Sequence, residues 1–192
     1  MRITLSLCAA LFLSGAIPVP VLAAAPVQTT QAKTARLDAL FVALKRERNE
    51  RAAERIAAQI GQTFQQSGSA TTDLLMQWSQ KAIDERKFDV ALDFLDEIVT
   101  LQPSFAEGWN RRATVHFLMK DYAKSLADID EVLKLEPRHF GALSGLAQIM
   151  TETDHKKDAL AAWERVLDIY PMLRSAQDQV ATLSDELAGE AI

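Results

Sequence analysis

The chain has 192 residues, with 26 acidic side chains against 21 basic ones and a formal charge of −5. That balance argues against nucleic acid as a partner, because phosphate binding needs a basic surface. A hydrophobic content of 48% with only 7 Gly and 6 Pro fits one helix-rich domain long enough to bury a core.

The first stretch stands apart from that domain. Met1-Arg2 is a short positive start, and Ile3 to Ile17 is almost uninterrupted apolar sequence. Pro18 and Pro20 then precede Val21-Leu22-Ala23-Ala24-Ala25. These are the parts of a secretory signal peptide, residues 1–23, with the cut after Ala23 and Ala24 or Ala25 as alternatives. The apolar run of 15 residues is shorter than the ~20 that a spanning helix needs, which argues against a membrane anchor. Cys8 does not suit lipid attachment, since the bulky Leu7 precedes it. As the only cysteine it leaves with the leader, and the mature chain then has no disulfide and no thiol chemistry. Losing Arg2 leaves 20 bases against 26 acids, a mature charge of −6, on a protein expected in the periplasm.

Residues 24–34 are small and polar and are expected to be a flexible lead-in. Leu37, Leu40, Phe41 and Leu44 then recur at i, i+3, i+4 and i+7, the spacing of one helix face. The charged run from Lys45 to Arg51 reads as a solvated helix end and turn, and Ile56, Ile60 and Phe64 mark a second helix. Residues 35–66 are thus a repeat-like helix pair without a closing proline. They are expected to cap the N-terminal end of the helices that begin near residue 72.

From residue 72 a period of 34 takes over. Pro103, Pro137 and Pro171 lie on it, as do the large positions Leu75, Trp109 and Leu143 and the positions Leu92, Leu126 and Leu160. Ser79, Ala113 and Ala147 form one small-residue column, and Ala91, Ser125 and Ala159 another. Each unit (72–105, 106–139 and 140–173) reads as two helices. A proline ends the second helix because it lacks the N–H that the next turn needs. The small columns let the two helices approach closely. Thr72 and Asp73 are candidate caps for the first of these helices. Beyond the last proline, residues 174–188 carry the stripe Ala176, Val180, Leu183 and Leu187, a helix that covers the end of the stack.

This pattern resembles the tetratricopeptide repeat, most fully in the middle unit with Trp109, Ala113, Tyr122, Leu126 and Pro137. With its leader, the chain is also similar to small exported tetratricopeptide proteins of Gram-negative bacteria. The resemblance implies an all-α fold, a tetratricopeptide-repeat α-solenoid of antiparallel helix pairs with a C-terminal capping helix. Several positions depart from the family pattern. Arg112 replaces a buried leucine, Lys156 an aromatic and His116 a tyrosine. Ile98, Val132 and Val166 stand where alanine is usual, which suggests loosened local packing.

The family holds a partner segment in a concave groove lined by the first helices. Carried over, the groove shows Asp73, Met76, Gln77 and Gln80 from the first repeat. The second adds Glu107, Asn110, Arg111, Thr114 and Phe117, and the third Gly141, Ser144, Gly145 and Gln148. The family's carboxylate clamp uses groove lysines, and none appears here, so that clamp is not expected.

Catalysis finds no support. His116, His139 and His155 lie in different repeats without metal-ligand spacing. Asp93, Asp96, Glu97, Asp128, Asp130 and Glu131 are expected mostly on the outer, solvated helix face. No phosphate loop, serine elbow or dinucleotide fingerprint occurs, so no cofactor, metal or enzyme activity is expected. Two features keep two readings each. Gly141 and Gly145 serve either close helix packing or a bare patch for a ligand. Arg111 either pairs with Glu107 at i+4 or holds a partner's carboxylate. The expected function is a non-catalytic interaction module, an adaptor or scaffold, binding a protein or peptide segment. The alternatives are a regulatory subunit of an envelope enzyme and a homo-oligomeric structural protein.

Overall fold

The computed structural model describes residues 25–190, and the leader read at 1–23 lies outside them. The described residues form nine helices and no strand: α1 (Ala25–Arg46), α2 (Glu50–Phe64), α3 (Ala70–Asp84), α4 (Phe88–Leu101), α5 (Ala106–Leu118), α6 (Tyr122–Leu135), α7 (Phe140–Glu152), α8 (Lys156–Ile169) and α9 (Arg174–Glu190). Helices α3/α4, α5/α6 and α7/α8 are the three antiparallel pairs, each stacked on the next, and α9 packs on α8. This is an all-α repeat solenoid.

The connections follow the period as strictly as the helices. Arg86, Lys120 and Asp154 lie 34 residues apart, and all three adopt left-handed backbone, with φ of 57°, 62° and 60°. Each ends the first helix of its repeat. The N–H groups of Lys87, Asp121 and His155 reach back to the carbonyls of Ala82, His116 and Met150 at 2.8–2.9 Å. The left-handed residues themselves bond to Ile83, Phe117 and Thr151. That paired return is the Schellman cap, which satisfies the last helical carbonyls. Between repeats, Pro103, Pro137 and Pro171 occupy the second position of four-residue turns, closed by Phe105, His139 and Leu173 N–H at 2.9–3.2 Å.

The small columns are buried: Ser79, Ala91, Ala113, Ser125, Ala147 and Ala159 expose 3% or less. Ser125 Oγ donates to the Ala113 carbonyl at 2.8 Å, tying the two columns of the middle repeat together. Leu95, Ile98, Val115, Leu143, Val132 and Val166 fill the layers between helices with no exposure at all. The larger seam residues therefore do not loosen the packing. Gly108 makes room for Ile98, because a Cβ there would stand 2.7 Å from the Ile98 Cγ2. At the C-terminal end, Ala176 and Leu183 close over Trp163 and Val166, with Val180 beside them. Lys156, at the aromatic position, pairs with Glu186 of this capping helix at 3.2 Å.

Three expectations need correction. The helix begins at Ala25 and not after a lead-in at 24–34, although residues 31–36 are largely exposed and add nothing to the core. The cap of α3 is Ser69, whose side chain accepts from Thr72 N–H, because the helix starts two residues earlier than its apolar pattern indicates. Asp73 instead accepts from the Ser67 hydroxyl at 2.5 Å, and Thr72 is buried. The third correction is larger. The α1–α2 hairpin does not stack on α3/α4 as an N-terminal cap but packs on α8 and across the proline turns. Leu37, Phe41, Leu44, Ala53, Ile60 and Phe64 form one core with Tyr170. Arg138 lies over the Phe41 ring and pairs with Asp38 at 2.7 Å, Phe64 stacks on His139 at 4.5 Å, and Arg174 reaches Glu50 at 3.2 Å.

Candidate functional site

The first helices α3, α5 and α7 bring the groove residues named from sequence, Glu107 apart, into two adjoining concavities. Asn110, Thr114, Phe117, Gly141, Ser144, Gly145 and Gln148 line a pocket of about 300 Å³ between α5 and α7. Its floor is made by Ala113, Ser125, Ile129, Ala142 and Trp163, of which Ala113 and Ser125 belong to the small packing columns. Gln77, Gln80 and Arg111 line a neighbouring pocket with Asp73 and Met76, and α2 adds Gln65 to its wall.

The first pocket is more apolar than its residue names suggest. The Thr114 hydroxyl donates to the Asn110 carbonyl at 3.0 Å, and the Ser144 hydroxyl to the Phe140 carbonyl at 2.8 Å. The Asn110 amide donates to Glu107 at 3.2 Å, and the Gln148 amide to Glu152 at 3.2 Å. With these two hydroxyls bonded to backbone carbonyls of their own helices, Thr114 and Ser144 offer mainly carbon to the cavity. Trp163 Nε1 is buried and has no hydrogen-bond partner among the described residues.

The glycines divide between their two readings. A Cβ on Gly145 would meet only the flexible tip of Ile129, Cδ1 at 3.4 Å, so packing does not require a glycine there. A Cβ on Gly141 would press on the His139 ring at 3.3 Å, and that ring is clamped against Phe64. Gly141 therefore has a packing reason, and Gly145 is bare on the pocket wall.

Arg111 is engaged. It donates to Gln80 at 2.7 Å and sits 3.5 Å from Glu107, whose other oxygen faces His139 Nε2 at 3.3 Å. His139 Nδ1 accepts the Ala142 N–H at 3.1 Å and so caps α7. That bond leaves Nε2 to carry the proton toward Glu107. Among the side chains lining the two pockets, Arg111 is the only cation.

The acidic residues lie mostly on the solvated face as expected, and one of them belongs to a second, buried polar cluster. Asp93, Asp96, Glu97 and Asp130 are exposed, but Asp128 is buried at 3%. Arg112 grips it with two bonds, at 2.6 and 2.9 Å, reaches Asp96 on the preceding repeat at 2.7 Å, and lies over Trp109. The leucine position thus carries a charge because a carboxylate is buried opposite it. His116 lies 3.9 Å from Asp128, and burial pushes its pKa below the usual imidazole range, with the carboxylate opposing. No group of His, Cys, Asp or Glu that could hold a metal occurs among the described residues.

Comparison with known proteins agrees with this architecture. The tetratricopeptide repeat family model matches residues 106–139. A TPR repeat-containing protein of Rhizobium etli is 55% identical over 154 residues, covering 80% of this chain and 76% of that one. The small glutamine-rich tetratricopeptide repeat-containing protein 2 of Saccharomyces cerevisiae is 26% identical over 61% of this chain, which spans 34% of its length. Among solved structures, the first TPR of Spaghetti (RPAP3) bound to the HSP90 peptide SRMEEVD superposes with a TM-score of 0.59. It shares 22% identity and covers 62% of this chain and 95% of its own.

Proposed function

Since the chain belongs to the tetratricopeptide repeat family, we propose that it is a non-catalytic adaptor or scaffold holding a segment of a partner protein in the α3–α5–α7 groove. The observation that carries this reading is the pocket of about 300 Å³ beside bare Gly145, whose Thr114 and Ser144 hydroxyls are taken up by backbone carbonyls. Such a pocket suits an apolar side chain of an extended or helical segment, oriented by a few polar groups at its rim. The peptide bound by the RPAP3 domain ends in acidic residues. Here the one cation of the two pockets is already held by Glu107 and Gln80, so a terminal carboxylate is not the anchor.

The test is recovery of partners by the wild-type chain and its variants. Gly145→Gln fills the pocket and should reduce recovery at least tenfold, equivalent to about 1.4 kcal/mol. Arg111→Glu should reduce it less, since that side chain lines the neighbouring pocket. Asp93→Lys combined with Glu131→Lys, on the acidic second-helix face, should leave recovery unchanged. The reverse pattern would move the site to that outer face.

The leader read at 1–23 supports export to the periplasm as part of the same proposal. Sequencing the N-terminus of the accumulated protein checks it. A start between Ala24 and Pro26 is expected, and a retained Met1 counts against it.

A further inference from the structure

The two ends of the repeat stack are not alike. At the C-terminal end α9 lies over α8, with Ala176 and Leu183 closing on Trp163 and Val166. At the other end the α1–α2 hairpin has gone to the proline turns and α8, and among the described residues no helix packs over the outer face of α3/α4. Leu74 and Trp78 on α3, and Val90 and Leu101 on α4, each expose 43–55%. Phe94 lies against Trp78 at 5.6 Å between ring centres.

The repeats themselves show what covers this register. The positions 34 and 68 residues after Trp78 are Arg112 and Leu146. Arg112 bonds to Asp96 on α4, the second helix of the preceding repeat. Leu146 packs against the buried cluster that includes Ile129 and Val132 of α6, again the preceding second helix. Trp78 has no preceding repeat. Its natural cover is a second helix with an apolar outer stripe, and among the described residues the one left open is α4 itself.

We propose that this face receives the same face of a second copy of the chain, forming a two-fold symmetric dimer. Covering of the C-terminal end by α9 removes the head-to-tail alternative, which would build an open filament. Charge supports self-pairing. Exposed Lys81 stands one turn beyond Trp78 on α3, and exposed Glu97 one turn beyond Phe94 on the antiparallel α4. Measured from the Trp78–Phe94 pair, the two charges therefore lie in opposite directions along the helices, Glu97 between Phe94 and Leu101. A two-fold axis passing diagonally between the Trp78–Phe94 pairs brings Lys81 of each copy toward Glu97 of the other. The open apolar stripe amounts to roughly 400 Å² per copy, a patch size that usually has a purpose. With its charged rim it falls at the small end of specific interfaces, the size range of weak, reversible association. None of the groove residues takes part.

Sedimentation velocity of the purified chain, over a wide series of increasing concentrations, tests the proposal. The mass should double toward the upper end. Trp78→Lys should keep the chain monomeric throughout. Lys81→Glu and Glu97→Lys, both at exposed positions, should each weaken association about tenfold by placing like charges together at two symmetric points. The double reversal should restore it, and Arg111→Glu should leave it unchanged. A monomer at every concentration overturns the proposal, as does a dimer indifferent to the charge reversals. Failure here leaves the groove reading standing, because partner recovery through the pocket is measured separately.

Discussion

Ile98 and Gly108 show at the scale of single residues how a departure from the family pattern is absorbed. Read alone, an isoleucine at a small-residue position suggests loosened packing, yet Ile98 is fully buried. The accommodation lies ten residues on, where a Cβ at Gly108 would come within 2.7 Å of it. Gly108→Ala should therefore cost about 1–3 kcal/mol despite the better helix propensity of alanine. In an Ile98→Ala background, itself destabilised by a cavity, adding Gly108→Ala should cost nothing or improve stability. Thermal or urea melts of the four chains close the cycle. Strictly additive losses would show that the contact is not the reason for the glycine. Arg112 and Asp128 teach the same lesson with charge. Each is anomalous alone, and only their pairing across α5 and α6 explains both.

Among the elements, the three repeats were legible because period, prolines and small columns are local records of helix packing. α5 and α7 begin at Ala106 and Phe140, the first residues of the units read from the 34-residue period. The turns inside the repeats were not legible. Their left-handed positions hold Arg86, Lys120 and Asp154, with no glycine to signal them, and the caps that impose the conformation are backbone bonds. A non-glycine residue in that region is strained, typically by about 1 kcal/mol. Lys120→Gly should recover part of that strain, against the greater freedom glycine gives the unfolded chain. A gain of up to ~1 kcal/mol in a urea melt is expected. Ala127→Gly, at an exposed position in the interior of α6, should lose about that much. If both glycines destabilise equally, the turn carries no strain worth relieving. The apolar character of the groove pocket was equally hidden, because Thr114 and Ser144 become carbon surfaces only once their hydroxyls turn to backbone carbonyls.

For the molecule as a whole, the hairpin decides how rigid the solenoid is. A repeat stack has contacts only between neighbours, so its curvature is set by the sum of small rotations. Here α1–α2 adds contacts that skip repeats. Ser67 accepts from Gln102 at the first proline turn at 2.8 Å, Phe64 stacks on His139 at the second, and Tyr170 joins the hairpin core at the third. No pattern within the repeats announces this, since partners such as Asp38 and Arg138 lie 100 residues apart. The consequence is that the three turns should open together. Phe64→Ala removes a buried ring from the centre of the brace and should cost about 3–5 kcal/mol locally. Amide exchange should then quicken at Phe105, His139 and Leu173, whose N–H groups close the three turns, while amides inside α5 and α6 stay protected. Faster exchange at His139 alone would mean that the hairpin is an appendage held at one point. With all three turns released at once, the spacing of α3, α5 and α7 loses its outside restraint. Affinity for a groove ligand should then fall without any change to a residue that lines the groove.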